Sequence, residues 1–225
     1  MKILWVLLLF IPSSLSAENH NTPPPASIRE IENFNAYEVG KFPINFKTFP
    51  FQRADALQVY SVQSEDHHKF LSSFDDQDIS VQIFRRFEWD LPRWPYFSWR
   101  WRAKILPQGA AENNPATNDS GCGVYVVFEG YHGDILKYVW SSTLPVGTVY
   151  EKKPGKFYIV VLDSASTHLG NWRTIAVNVI EDYKKIFKKE PSQNPKGFGI
   201  LTDANATHTA ASCDYDDFRI ADSPF

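Results

Sequence analysis

The stretch YFSWRWRAKIL, residues 96–106, sets aromatic and cationic side chains on alternate positions. Successive side chains of a strand point to opposite faces, so Phe97, Trp99, Trp101, Ala103 and Ile105 share one face and Ser98, Arg100, Arg102 and Lys104 the other. Exposed tryptophans would form a platform for stacking sugar rings, whereas their continuation into Ala103 and Ile105 fits the buried face of a sandwich. The cation row is the less ordinary of the two, because like charges in succession repel unless anions lie near. Arg100 and Arg102 could fork onto a carboxylate or sulfate of a ligand with paired hydrogen bonds. They could equally meet cross-strand carboxylates such as Glu88, Asp90 or Glu129, and the sequence leaves both readings open.

A second stretch, TDANATHTAASCDYDDF, is rich in side-chain oxygen. Calcium takes six to eight oxygen ligands, which makes Asp203, Asn205, Asp214 and Asp216 candidate metal ligands and calcium the candidate ion. The stretch lacks the glycine and terminal glutamate of an EF-hand loop, and Asp and Asn are also ordinary turn formers. Strict alternation would set Asp214, Asp216 and Phe218 on one face and Tyr215, Asp217 and Arg219 on the other, where Asp214 and Asp216 could hold a cation or salt-bridge the Arg100 row. In LKYVWSS, Tyr138 and Trp140 share a face with Leu136, either as sugar-stacking residues of a concave sheet or as core.

Signals for catalysis are weaker. Glu88, Glu129, Asp163 and Asp203 could supply the paired carboxylates of glycosidic cleavage, which need defined separations and one raised pKa. Ser164, Ser166 and His168 in LDSASTHLG suggest a nucleophile and base without the G-x-S-x-G elbow. No H-E-x-x-H zinc pattern occurs, and Asp66–His68 reads as a hairpin tip.

The elements that must position these residues are mostly strands. Residues 1–17, MKILWVLLLFIPSSLSA, carry an early lysine, a short apolar run and a small-residue ending, the pattern of a cleavable export signal too short to remain as a spanning anchor. Residues 18–27, ENHNTPPPAS, read as a disordered leader. A single domain is expected over 28–225. Runs such as ALQVYSVQ, KFLSSF, GVYVVFEG, DILKYVWSS and KFYIVVLDS, punctuated by Pro, Gly, Asn and Asp, predict a mostly β, two-sheet antiparallel sandwich. One segment, NWRTIAVNVIEDYKKIFKKE, has apolar residues at three- and four-residue spacing and predicts one covering helix over 172–189. The loop at 107–121 is long and polar, as functional or disordered loops are.

Cys122 and Cys213 are the only cysteines. In an oxidising compartment an even pair without C-x-x-C spacing suits a disulfide, and two separate buried thiols remain the alternative. The formal charge of −3 is spread along the chain, which argues against nucleic acid as a partner.

FSWRWRAKILP, NDSGCGVYVVF, LKYVWSSTLPVGTV, NVIEDYKKIF and GFGILTDANATHTAASCDYDDFRI occur in that order, and from about Phe42 to Ile220 the chain resembles the exported bacterial family of domain of unknown function 3047. That pattern is in turn similar to the jelly-roll sandwiches of carbohydrate-binding modules, which implies a concave sheet with rim loops that hold a glycan and, frequently, a structural calcium. By the same resemblance Asn118 and Asp119, ahead of VYVVF, occupy the place of an acidic pair and become candidate ligand contacts. Fold-level analogy does not fix a function.

Together these features lead us to expect an exported protein, periplasmic or extracellular, that binds a carbohydrate or similar polar ligand through Arg100, Arg102, Tyr138, Trp140, Asn118 and Asp119 without catalysis. A polysaccharide-active lyase or hydrolase of the same fold, and an envelope structural or assembly protein, are the alternatives. Oligomeric state is not encoded in any motif.

Overall fold

In a computed structural model of the chain, residues 26–128 and 133–225 are described. The expected export signal, nearly all of the expected leader, and Glu129 lie outside the described residues. In chain order the elements are β1 (Ile28–Glu32), β2 (Phe46–Lys47), α1 (Arg53–Val59), β3 (Tyr60–Glu65), β4 (His68–Asp75), β5 (Ile83–Arg86), β6 (Tyr96–Ile105) and β7 (Cys122–Val127). There follow β8 (Ile135–Ser141), β9 (Val149–Lys153), β10 (Phe157–Ser164), β11 (Arg173–Asn178), α2 (Val179–Phe187), β12 (Gly197–Leu201) and β13 (Ala211–Ala221).

Two sheets face each other. The first runs β11-β6-β13-β4-β3, with β1 also on β13, and the second runs β2-β5-β12-β7-β8-β10-β9. Most neighbours are distant in sequence, as the long crossovers of a jelly roll require. The arrangement is the expected mostly β sandwich, with one departure: β8 and β10 pair in parallel. β10 forms an antiparallel hairpin with β9 and lies between β9 and β8, so the successive strands β8 and β9 do not pair with each other.

The helix expected over 172–189 begins seven residues later. Arg173–Asn178 is a strand whose inward residues are Ile175 and Val177, paired along its length with β6. Helical spacing of Trp172, Ile175 and Val179 is also compatible with period two at Ile175 and Val177, and the pairing energy of a sheet edge decides between them. Asn178 then caps α2 by accepting a hydrogen bond from the Glu181 amide, and Lys188 ends it in the left-handed conformation. The ALQVYSVQ run, expected as strand throughout, is likewise split: it finishes α1 before continuing as β3.

The core lies between the sheets. Trp99, Trp101, Trp140, Tyr138, Phe97, Phe198 and Phe218 are fully buried. Trp99 meets Trp101 at 5.4 Å and Tyr138 at 5.6 Å between ring centroids, and Trp101 meets Trp140 at 6.1 Å. An aromatic side chain of this kind hides on the order of 200 Å², a gross gain of about 5 kcal/mol. The Trp101 indole donates to Asp163 and the Trp140 indole to the Ala165 carbonyl, which satisfies their polar edges. Ile105, expected on this face, is 40% exposed, because the register with β13 slips between Ala103 and Ile105 and one extra residue in β6 inverts the alternation.

Two ties cross between the layers. Cys122 on β7 and Cys213 on β13 form a disulfide with Cα atoms 5.6 Å apart. Beside it Tyr215 of β13 accepts from the Gly123 amide, donates to the Leu201 carbonyl and bonds the Thr202 hydroxyl at 2.7 Å. On the other flank α2 is fastened to the second sheet through Asp134, which accepts from Lys189, from Lys156 and from the Tyr183 hydroxyl. Among the described residues no helix is long and apolar enough to cross a membrane.

Replacing Cys122 and Cys213 together by alanine is expected to lower unfolding free energy by about 4–5 kcal/mol, the entropy of closing a loop of that length, as read from guanidinium denaturation. Asp134 supplies a pH-dependent contribution. Burial raises its pKa, and the hydrogen bonds from Lys189, Tyr183 and Lys156 outweigh burial and hold it below the usual carboxylate value. Its stabilisation is therefore complete above about pH 4 and is lost as pH falls through the lowered folded value. Asp134→Asn is expected to cost about 1–3 kcal/mol at neutral pH and to flatten the acid side of a urea-midpoint profile.

Candidate functional site

The pairing of β6 with β13 sets Arg102 opposite Asp214 and Arg100 opposite Asp216, on the outer face of the first sheet. Arg102 reaches Asp214 Oδ2 at 2.9 Å through Nε and at 2.8 Å through Nη2, and Glu65 Oε2 at 2.8 Å through Nη1. Lys104 lies 2.7 Å from Asp214 Oδ1. Burial works against the Arg102 charge, but its hydrogen bonds to Asp214 and Glu65 prevail and raise its pKa. Arg100 and Arg219 both donate to Asp217, at 3.2 and 2.7 Å. The cation row thus meets carboxylates of its own chain, but those of β13 and Glu65 rather than Glu88 or Asp90.

Over this ladder lies Trp172, from the turn before β11. The guanidinium carbons of Arg100 and Arg102 both stand 4.7 Å from its ring, and Phe70 meets it edge-on at 5.5 Å. Each stacked guanidinium gains a cation–π attraction. The sequence reading placed Trp172 on a helix face, and only the tertiary arrangement shows it covering the arginines.

A bulge in β13 changes which residues share this face. Between Asp216 and Arg219 the register with β6 slips, and Asp217 adopts a left-handed backbone with φ of 53°. One extra residue inverts the alternation beyond it. Phe218 turns into the core, against the expected pairing with Asp214 and Asp216, and Asp217 comes outward beside Asp216. Asp216 is fully buried and 3.3 Å from His68 Nε2. Burial raises its carboxyl to about 7; a hydrogen bond from the Asp217 backbone opposes the rise, the Asp217 charge adds to it, and Arg100 and Arg219 oppose it.

Beside the ladder a cleft of about 470 Å³ opens over β3, β4 and β6. Its walls carry Ser61, Gln63, Ser72, Glu65, Arg102 and Lys104, with the Phe70 and Phe74 rings among them. Phe74 is 46% exposed. A smaller groove of about 270 Å³ on the second sheet, around Phe84, Tyr125 and Gly199, is mainly apolar.

The other residues singled out from sequence lie elsewhere. Tyr138 and Trp140 are fully buried, so they are core and not a platform; the Tyr138 hydroxyl donates to Asp182. Asp119 accepts from the Ala206 and Thr207 amides and the Thr207 hydroxyl, which makes it the anchor of the 204–209 turn. Asn118, next to it, is partly buried and is not among the residues that line the cleft. The four expected calcium ligands are not brought together: Asp203 accepts from the Ser120 amide and the Ser80 hydroxyl, Asn205 stands in the turn, Asp214 is held by Arg102 and Lys104, and Asp216 faces His68. Among the described residues the cluster with metal-ligand spacing is instead His68, Asp216 and Asp217. The 107–121 loop is fastened down, with buried Glu112 accepting from Ser141 and the Pro107 and Ala110 carbonyls accepting from Ser142 and Thr143. Asp163 is taken by Trp101 and Arg173, Glu88 by Lys196, and the Ser164 hydroxyl by the Leu144 carbonyl.

Removing one partner of a buried pair strands the other charge. Asp214→Ala is expected to cost about 3 kcal/mol in urea unfolding, and pairing it with Arg102→Met should recover most of that loss.

The fold can be set beside solved structures. The family 11 carbohydrate-binding module of a cellulosomal cellulase from Clostridium thermocellum is 9% identical, with a TM-score of 0.44 over 87% of this chain and 95% of that one. Endoglucanase 3 of Trichoderma harzianum, from family GH12, is 9% identical, with a TM-score of 0.43 over 89% and 98%. The xyloglucanase domain of a type three effector from Sinorhizobium fredii is 11% identical, with a TM-score of 0.40 over 67% and 82%. No curated protein matches the sequence. Residues 45–219 match the family described as protein of unknown function DUF3047, and the chain belongs to that family.

Proposed function

We propose that this protein is an exported carbohydrate-binding protein whose ligand lies in the cleft over β3, β4 and β6. The observation that carries the reading is the cleft itself, in which hydroxyl, amide and charged side chains surround the exposed face of Phe74. Sugars present hydroxyls around an apolar ring face, and such a surface asks for dispersed donors and acceptors beside an aromatic ring. The disulfide supports work in an oxidising compartment.

The charges refine the substrate class. The Arg102 forks are filled by Asp214 and Glu65, and Lys104 is paired with Asp214. With two cations against two carboxylates at this wall, a neutral glycan suits it better than a polyuronate or a sulfated chain. The arginines position the wall; Gln63, which donates to Ser61, and Ser72, which accepts from Lys104, keep further donors and acceptors to meet the ligand beside Phe74.

Affinity electrophoresis and calorimetry against neutral and acidic polysaccharides provide the test. Saturable binding to a neutral polymer is expected, weakened by about tenfold or more in Phe74→Ala, the loss of one stacking contact and its packing, with the circular dichroism spectrum unchanged. Binding confined to acidic polymers, or to none, refutes the assignment, and release of reducing ends would move the protein to the hydrolases.

A further inference from the structure

His68 begins β4 directly after the hairpin turn of Asp66 and His67, both with positive φ, and pairs with Glu65 across the hairpin. That register sends its imidazole toward the β13 bulge. One ligand atom from each of His68, Asp216 and Asp217 lies within 4.8 Å of the other two.

Asp216 distinguishes this cluster from a chance gathering of acids. It is 0% exposed, no lysine or arginine bonds it, and among the described residues it has only its Asp217 neighbour's backbone amide and His68 Nε2 at 3.3 Å, with neither carboxylate oxygen completing a hydrogen bond of good geometry. The other buried carboxylates of this region are differently served, Asp214 by Arg102 and Lys104 and Asp119 by three donors. A buried polar group without compensation is costly, and where one persists a ligand or ion is the usual explanation. The bulge supplies the geometry, since without it Asp217 would point into the core.

We propose that His68, Asp216 and Asp217 bind one first-row divalent transition cation, with zinc the best fit. Imidazole favours zinc over calcium or magnesium, which prefer all-oxygen sites. Three protein ligands leave a fourth tetrahedral position open. His68 is 52% exposed, so that position faces solvent. Arg100 and Arg219, donating to Asp217, orient its carboxylate as outer-shell donors do at metal sites, and a carboxylate has lone pairs enough for both arginines and a cation. The site stands apart from the glycan reading, and its test does not depend on that outcome.

The chain, stripped with chelator, is titrated with Zn²⁺ by calorimetry and with Co²⁺ by visible absorption. One equivalent is expected to bind, with Co²⁺ showing a ligand-field band. His68→Ala and Asp216→Asn are each expected to weaken Zn²⁺ by more than about tenfold, and Glu65→Gln, on the same hairpin, to leave it unchanged. His68 lies at the surface and Asp216→Asn is nearly isosteric, so circular dichroism should report both folded. No saturable uptake, or uptake that both variants leave intact, overturns the proposal; preference for Ca²⁺ over Zn²⁺ overturns the choice of cation.

Discussion

The pairing of β6 with β13 joins two requirements in one pair of strands. Inward, Trp99 and Trp101 from β6 and Cys213 and Tyr215 from β13 build the centre of the core and tie it to the second sheet through the disulfide and the Tyr215 hydroxyl. Outward, the same pairing brings Asp214 against Arg102 and Lys104. Each requirement needs the other. The cation row would repel itself without β13, and β13 would bury carboxylates without β6.

From this follows the character of the outer face. Because the arginines are already engaged and covered by Trp172, the face has little net charge to offer a ligand. The free hydrogen-bonding capacity shifts to β3 and β4, where Gln63, Ser72 and Phe74 line the cleft. The bulge at Asp216 and Asp217 acts in the other direction, since it concentrates carboxylates beside His68 where two arginines already attend only one of them. Neutral polar cleft and a buried carboxylate met by His68 alone among the basic side chains are thus neighbouring results of one strand pairing.

Much of the architecture was legible in the chain. Alternation in YFSWRWRAKIL correctly assigned Trp99 and Trp101 to the core and the arginines to the outer face, because a strand buried on one face writes its burial into period two. Asp214 as a partner of the arginine row was legible for the same reason. The helix boundary at Asn178 was not, since residues 172–179 satisfy both periods and only the β6 edge selects strand. Tyr138 and Trp140 were equally ambiguous, an aromatic face being the same in sequence whether it meets a sugar or another sheet.

The sequence by itself determined the class of fold, the faces of its regular strands, the availability of two cysteines to pair and membership of the family. The tertiary structure alone decided what joins the β6–β13 ladder from outside it, because His68, Glu65 and Trp172 reach it from elements far along the chain. It also decided that Asp216 and Asp217 share a face. A bulge is one residue of extra length in one strand relative to its partner, a property of the pair that neither strand carries alone.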